Sequence, residues 1–211
     1  MIFIWDWNGT LLDDIKESMH ALNEVCKFGE KKEIHDLDLY RQLFQFPVKE
    51  YYRKVGFDFE ITPFEQLAKI YMADYQPKSI SAPLFKDALT CLNRINELHY
   101  EQYLLSASDL TYLHKQLSYH QLQPYFKAIY GLNNIHAKSK EALAHLLVKE
   151  QKININEVYF IGDSVHDYEV ATSVGCKCIL IASGHEHINK LKACDCVVLE
   201  DLKQFYIKYL K

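Results

Sequence analysis

IFIWDWNGTLLDD, the segment from Ile2 to Asp14, begins with an apolar run that ends at Asp6. A Gly-Thr turn follows, and two further carboxylates, Asp13 and Asp14, come directly after it. A short continuous apolar run of this kind is typical of a buried strand. Because ligands of open parallel sheets bind beyond the carboxyl ends of the strands, we expect Asp6 to lie at a functional edge of the sheet.

The composition of the 211-residue chain is that of a soluble globular protein, with 49% apolar and 25% charged residues. A net charge of −4 and only three arginines give no electrostatic reason to expect binding to nucleic acid or to a membrane surface. No stretch approaches the ~20 apolar residues of a membrane span, and the first apolar run is too short for a signal peptide. We therefore expect a cytoplasmic protein, monomeric or homodimeric, with reduced cysteines.

Short apolar runs alternate with amphipathic stretches through most of the chain, which predicts a doubly wound parallel sheet with helices on both faces. The predicted strands are Ile2–Trp7, Gln102–Ser106, Ala128–Tyr130, Val158–Ile161, Cys178–Ala182 and Cys196–Leu199. The predicted helices outside the insert are Leu84–His99, Lys138–Glu150, Asp163–Val174 and Leu202–Leu210.

Residues 14–78 break this alternation, since they contain no convincing strand but have helical periodicity and many aromatic residues. Four residues that favour turns, Pro47, Gly56, Pro63 and Pro77, divide the segment. We predict a small α-helical cap domain at 14–78, inserted into an α/β core formed by 1–13 and 79–211. Most of the aromatic residues are expected to form the core of the cap itself.

Polar residues end three of the predicted strands. Asp6 ends the first, Ser106 ends the second, and Asp163, with Asp167 four residues later, follows the fourth. Each alone has a simpler explanation as a helix N-cap or a turn residue. Three carboxylates at one sheet edge repel one another, however, and a divalent cation, most simply Mg²⁺, would neutralise them.

A carboxylate, a cation and a hydroxyl together suggest phosphoryl transfer through a covalent aspartyl-phosphate. A lysine is needed to balance the remaining negative charge of the phosphate. Two candidates open the same helical stretch, Lys138 and Lys140 in HAKSKEAL, and the residues themselves leave the choice open.

These motifs together resemble the haloacid dehalogenase-like hydrolases, in the phosphoglycolate phosphatase-like branch with a helical cap. WDWNGTLLDD is similar to the family's first motif, DxDGTxxD; YLLSAS, AKSKEAL and VYFIGDSVHDYEVATSVG are similar to the second, third and fourth. The resemblance implies a Rossmann-like fold and a Mg²⁺-dependent phosphatase acting on a small phosphorylated metabolite.

The resemblance also assigns roles to residues. It implies Asp6 as the nucleophile, Ser106 as a phosphate ligand and Lys140, where the helical pattern starts, as the motif lysine. The implied substrate-binding residues are Gly9, Thr10, Ser106, Ala107 and Lys140, together with Arg41 of the cap. The implied metal ligands are Asp6, the main-chain carbonyl of Asn8, Asp163 and, in support, Asp167.

Position 8 departs from the family pattern, which has an acid–base Asp where this chain has Asn8. Asn does not exchange a proton at neutral pH, and acid–base help is worth ~10²–10⁴-fold in rate. One interpretation is a phosphatase for substrates with good leaving groups, or one with another proton donor such as His185. The others are a phosphonate- or halide-cleaving relative, and a weakened enzyme that binds a phosphorylated ligand.

Two further interpretations concern the cap and the cysteines. Arg41 and Arg53 lie in the cap, where one of them could bind a second anionic group of the substrate, although surface positions are their simplest explanation. The pairs Cys176/Cys178 and Cys194/Cys196 flank two histidines and allow a zinc site. We expect core packing instead, because both pairs lie in or beside strand-like runs.

Overall fold

A computed structural model describes residues 1–132 and 139–211 of the chain. Six strands form one parallel sheet in the order β3-β2-β1-β4-β5-β6. Their bounds are β1 Ile2–Trp5, β2 Glu101–Asp109, β3 Ala128–Leu132, β4 Val158–Gly162, β5 Lys177–Ile181 and β6 Val197–Leu199. The predicted parallel α/β fold is confirmed.

Ten α-helices lie in the described residues. Those of the insert are α1 Ile15–Phe28, α2 Leu37–Leu43, α3 Val48–Val55 and α4 Phe64–Ser79. The others are α5 Ala88–Glu97, α6 Leu110–His120, α7 Lys140–Glu150, α8 Val165–Val174, α9 Ile188–Leu191 and α10 Leu202–Tyr209. None of the helices described here is long and apolar enough to cross a lipid bilayer.

Alternate residues of β1 supply the two cores of the α/β domain, as the two-residue period of a strand requires. Phe3 and Trp5 pack in a cluster with α5, α6 and α10, whereas Ile2 and Ile4 pack in a second cluster with α7 and α8. Because helices cover both faces, every residue of β1 is buried and the strand is apolar throughout.

The observed bounds differ from the predicted ones mainly at helix starts. The predicted helix from Leu84 begins at Ala88, after Asp87 adopts a left-handed conformation (φ 69°) that interrupts the helical backbone. The predicted helix from Asp163 begins at Val165, because the Ser164 side chain caps it by accepting a hydrogen bond from the Asp167 N–H. Lys138 lies outside the described residues.

Helices α1–α4 follow β1 and have a third apolar cluster, centred on Leu22, Tyr40, Tyr52 and Leu67. The division at 14–78 stays a prediction, although this separate cluster accords with it.

Two connections join the insert to the sheet, and they run side by side. Leu12 forms an antiparallel bridge with Leu84, the Asp13 N–H donates to the Pro83 carbonyl (2.8 Å), and the Phe85 N–H donates to the Leu11 carbonyl (2.9 Å).

Candidate active site

The three central strands bring the predicted site residues to one edge of the sheet. β2 and β4 both pair with β1, so their carboxyl ends lie on either side of Asp6. Asp6 and Asp163 follow β1 and β4 directly, and Ser106 lies within β2, which is longer than predicted and continues to Asp109. All three side chains are buried.

Lys140, the first residue of α7, lies between two carboxylates. Its Nζ donates to Asp6 Oδ1 and, at 2.6 Å, to Asp167 Oδ1, and all three side chains are buried. Burial alone would lower the pKa of Lys140, but the charges of Asp167 and Asp6 raise it above its usual value. Lys140 is therefore a fixed cation beside Asp6.

Asp167, like Asp6, is held at both of its carboxylate oxygens. Its Oδ2 accepts hydrogen bonds from the main-chain N–H of Asp163 (3.1 Å) and from the N–H and hydroxyl of Ser164 (3.0 and 2.7 Å), while its Oδ1 accepts from Lys140. Both carboxylate oxygens are thus already engaged within the protein, and Asp167 positions the lysine and the turn after β4.

Asp6, Asp163 and Asp167 form a buried acidic cluster whose ligand oxygens all lie within 4.8 Å of one another. Burial, with the nearby charge of Asp167, raises the pKa of Asp6 to about 6 despite the opposing effect of Lys140. Burial, with the charges of Asp167 and Asp6, also raises the pKa of Asp163 well above its usual value against the opposing effect of His185. Lys140 offsets only part of the charge of the three carboxylates, and hard oxygen ligands of this kind fit Mg²⁺.

The turn after Asp6 is built around Gly9, which has a left-handed backbone (φ 75°). A Cβ at this position would lie far inside van der Waals contact with the Asp163 carboxylate and the His185 ring. Thr10 Oγ1 donates to Asp6 Oδ2 (3.2 Å) and also lies 3.4 Å from Asp163 Oδ1. Gly9 and Thr10 therefore allow the two carboxylates to approach each other.

The Asn8 amide uses both of its ends in hydrogen bonds. Its Nδ2 donates to Asp14 Oδ2 (3.1 Å) and to the Tyr75 hydroxyl (2.7 Å), and its Oδ1 accepts from the hydroxyls of Ser108 (2.6 Å) and Ser106 (3.3 Å). A carboxylate could not donate to Asp14, so the amide suits this network and an ionised acid does not.

A second group of residues lies beside this amide, and of these sequence reasoning had named only His185, as an alternative proton donor. Asp14 is buried and accepts from His185 Nε2 (3.1 Å), while the Tyr40 hydroxyl lies 2.8 Å from His185 Nδ1. Burial would lower the pKa of His185, but Asp14 and, less strongly, Asp163 raise it to about 9. The only signals in the sequence were the last Asp of WDWNGTLLDD and the histidine after β5.

Arg41 does not point towards the acidic cluster. Its Nε and Nη2 donate to the main-chain carbonyls of Gly184 (2.9 Å) and Ser183 (2.6 Å), in the loop after β5. Arg41 is absent from the lining of the cavity that contains Asp6. This placement differs from the expected substrate contact and favours a role in holding the cap against the loop.

A cavity of about 430 Å³ connects the acidic cluster to the cap. The sheet side contributes seven of the predicted site residues, Asp6, Asn8, Ser106, Ala107, Lys140, Asp163 and Asp167. The cap side is largely aromatic. The predicted site residues outside its lining are Gly9 and Thr10, which shape the turn, and Arg41.

The cysteine pairs lie away from this cavity. Cys176, Cys178, Cys194 and Cys196 contribute to the apolar cluster under α7 and α8. In the part of the chain covering 1–132 and 139–211, the only group of Cys, His, Asp or Glu residues spaced to hold a metal is the acidic cluster. This arrangement gives no support to the zinc interpretation.

A parallel sheet with an acid, a lysine and an acidic cluster at the ends of its central strands defines a Rossmann-like α/β enzyme. The model of the haloacid dehalogenase-like hydrolase family matches residues 3–181. The chain belongs to this family, and the predicted family and enzyme class are confirmed. A search of curated proteins finds no match.

Solved structures share this fold along nearly the whole chain. A haloacid dehalogenase-like family protein from Streptococcus pneumoniae is similar with a TM-score of 0.82 and 20% identity, covering 98% of this chain and 97% of that one. A protein from Clostridium acetobutylicum, described as a predicted phosphatase, has a TM-score of 0.81 at 17% identity and covers 99% and 97%. A predicted phosphoglycolate phosphatase from Haemophilus somnus has a TM-score of 0.77 at 14% identity, covering 98% and 96%. At these identities the similarity shows the fold.

Proposed function

We propose that this protein is a Mg²⁺-dependent phosphohydrolase that cleaves a small phosphorylated metabolite through an aspartyl-phosphate on Asp6. The observation that carries the proposal is the position of the Asp6 carboxylate. It is buried, it lines the cavity, and it belongs to a cluster of three carboxylates beside the Lys140 cation. A phosphoryl group supplies a target for the carboxylate, and the solved structures described as phosphatases share the fold.

The first step forms a bond between an Asp6 oxygen and phosphorus and breaks the bond from phosphorus to the leaving oxygen. Lys140 donates to one Asp6 oxygen and Thr10 to the other, so both fix the direction of attack. The hydroxyl of Ser106 and the main-chain N–H groups around Gly9 and Ala107 are the proposed donors to the phosphoryl oxygens. Water then attacks the aspartyl-phosphate and releases inorganic phosphate.

The proposed metal ligands are Asp6, Asp163 and the main-chain carbonyl of Asn8. Asp167 is the proposed supporting ligand, and it also holds Lys140 and the turn that carries Asp163 through its two oxygens. When bound, Mg²⁺ would reduce the repulsion between the negatively charged Asp6 carboxylate and the negatively charged phosphate. The raised pKa values of Asp6 and Asp163 indicate that the two carboxylates are short of positive charge, which a bound cation would supply.

Asn8 restricts the substrate to leaving groups that need no proton. Its amide donates to Asp14 and Tyr75 and is not a proton source, and both ring nitrogens of His185, the alternative donor, are engaged with Asp14 and Tyr40. We therefore infer a preference for leaving groups that are stable as anions, such as a carboxylate or a phenolate. The expected cytoplasmic location and monomeric or homodimeric state stay predictions.

The test is phosphate release from acyl phosphates and phosphomonoesters, with Mg²⁺ and with EDTA, for the wild type and Asp6→Asn. Metal-dependent turnover that disappears in Asp6→Asn supports the proposal. Asp13→Asn is the matched control, since it removes a carboxylate of the same segment that does not line the cavity. This control is expected to keep turnover.

Two other outcomes would identify the alternatives. Cleavage that survives EDTA would favour the metal-independent, halide-cleaving relative. Metal and phosphate binding without turnover in the wild type, with turnover gained in Asn8→Asp, would favour a protein that binds a phosphorylated ligand.

A further inference from the structure

The cap end of the cavity contrasts with the sheet end. Its walls include Phe44, Phe46, Phe64, Tyr71 and Tyr75, with Met72 between them. Aromatic walls of this kind favour a flat apolar group, through stacking and edge-to-face contacts. The part of the substrate that extends away from phosphorus is therefore expected to be apolar and planar.

No lysine or arginine of the cap lines this cavity, among the residues that the structure describes. Three cap cations are engaged elsewhere: Arg41 binds loop carbonyls, Arg53 pairs with Glu50, and Lys49 lies over the Phe64 ring at 5.0 Å. A second carboxylate or phosphate that reached the cap end of the cavity would find no lysine or arginine there, which is unfavourable. The cavity thus disfavours phosphoglycolate and bisphosphates.

One polar atom in the aromatic wall has no partner. The Tyr51 hydroxyl is buried and makes no hydrogen bond within the described residues, although Tyr51 lines the cavity and is only 4% exposed. An unpaired buried hydroxyl is costly, and a ligand atom that hydrogen-bonds to it would relieve that cost. The planar group is therefore expected to carry a polar, uncharged substituent.

We propose that the substrate is an aryl phosphate, the phosphate monoester of a substituted phenol. This inference rests on the proposed function and joins two independent observations, the aromatic cavity and Asn8. A phenol has a pKa of about 10, so its anion leaves without a proton donor far more readily than an alkoxide does. An aryl group can stack on the aromatic walls, and its phenolate can leave without the proton donor that Asn8 does not provide.

The reaction balances without a further reagent. The Asp6 carboxylate forms a bond to phosphorus, the bond from phosphorus to the aryl oxygen breaks, and its electron pair leaves on the phenolate, which takes a proton from water. A second water then attacks phosphorus, the bond to Asp6 breaks, and inorganic phosphate and a proton are released.

Four substrates separate the two requirements: phenyl phosphate, acetyl phosphate, benzyl phosphate and phosphoglycolate, each assayed with Mg²⁺. Phenyl phosphate, which has both the ring and the good leaving group, is expected to have the highest kcat/KM. It should exceed phosphoglycolate by roughly 100-fold or more. Benzyl phosphate, with a ring but a poor leaving group, is expected to inhibit competitively and turn over slowly.

The outcomes separate this inference from the function on which it rests. No metal-dependent turnover of any of the four would contradict the proposed function itself. Turnover with acetyl phosphate or phosphoglycolate preferred over phenyl phosphate would leave that function standing and overturn the aryl assignment.

A pair of exposed phenylalanines provides a test through variants. Phe46 lines the cavity and is 38% exposed, whereas Phe28 is 49% exposed and does not line it. Phe46→Ala is expected to raise KM for phenyl phosphate about 10-fold and to leave acetyl phosphate unchanged, since only the ring loses a contact. Phe28→Ala should change neither. Equal effects of Phe46→Ala on both substrates would contradict the proposal, and matched unfolding midpoints would establish that the variants are folded.

Discussion

Replacing Asn8 by Asp places a second carboxyl beside Asp14, and the structure allows its protonation state to be worked out. The Asn8 amide nitrogen lies 3.1 Å from Asp14 Oδ2, and Asp14 is buried. Burial would raise the pKa of Asp14, but His185, Tyr75 and Asn8 lower it below its usual value. Asp14 therefore stays ionised, and the introduced carboxyl has to adapt to it.

Two free energies compete at the introduced carboxyl. Two full charges at this separation repel by about 5 kcal/mol at an effective dielectric constant of about 20. Keeping a carboxyl with an ordinary pKa of about 3.9 protonated at pH 7 costs about 4 kcal/mol. Protonation costs less than the repulsion, so the introduced carboxyl is protonated at pH 7 and donates to Asp14 in place of the amide.

The resulting change in stability depends on pH. The introduced carboxyl has a higher pKa in the folded than in the unfolded protein, so the folded state binds more protons and loses stability as pH rises. We expect Asn8→Asp to lower the free energy of unfolding by about 1.5 kcal/mol at pH 5 and by about 4 kcal/mol at pH 7. Urea unfolding in EDTA, at a series of pH values, measures this difference from the wild type.

The control is the same substitution in an Asp14→Asn background. With the neighbouring charge removed, the introduced carboxyl ionises normally and its effect on stability should no longer vary with pH. A destabilisation by Asn8→Asp that is the same at pH 5 and pH 7 would refute the reasoning. A protonated carboxyl at this position is also a general acid, so the variant should gain most on substrates with poor leaving groups.

Three further predictions follow from the same geometry. Lys140→Met removes the cation between two buried carboxylates and should lower the free energy of unfolding by about 3–5 kcal/mol, with part of the loss recovered in Mg²⁺. A loss below about 1 kcal/mol in urea unfolding would contradict this prediction. Gly184→Ala places a Cβ against the Asp163 carboxylate, so it should lower the free energy of unfolding by about 3 kcal/mol and weaken Mg²⁺ binding measured by calorimetry. The control Gly175→Ala has open space around its Cβ. It should lower the free energy of unfolding by only the ~1–2 kcal/mol of its left-handed backbone and leave Mg²⁺ binding unchanged. With 4-nitrophenyl phosphate, stopped-flow should record a burst of nitrophenolate equal to the enzyme concentration. The phenolate leaves unaided, whereas water attacks the aspartyl-phosphate without a base, so the second step is the slower one. Linear release from the start would argue against this order of steps.

The sheet could be predicted from the sequence because its strands are short apolar runs whose burial follows from local pattern alone. Asp6 and Asp163 were placed at one edge by the rule that parallel strands deliver their carboxyl ends together, and β1 does lie next to β4. The choice of Lys140 as the motif lysine came from helical periodicity, and α7 begins at that residue.

The network around Asn8 could not be predicted in the same way. Asp14 and His185 are 171 positions apart in the chain, and their contact depends on how the loop after β5 packs against the cap. Arg41 had the right charge for a substrate contact, but its direction is set by two main-chain carbonyls that no side-chain pattern encodes. Periodicity likewise does not tell a cap aromatic that lines a cavity from one that packs in a core.

The paired connections at Leu12 and Leu84 bring the two ends of the predicted insert together. Because the chain leaves and rejoins the sheet at neighbouring points, the length and shape of what lies between them leave the strand order unchanged. In a family with this connection, replacing one continuous stretch of sequence can change which substrates are bound while the reaction centre is retained. In this chain, grafting a different helical insert between these two residues should change which molecules are accepted without rebuilding the chemistry beneath.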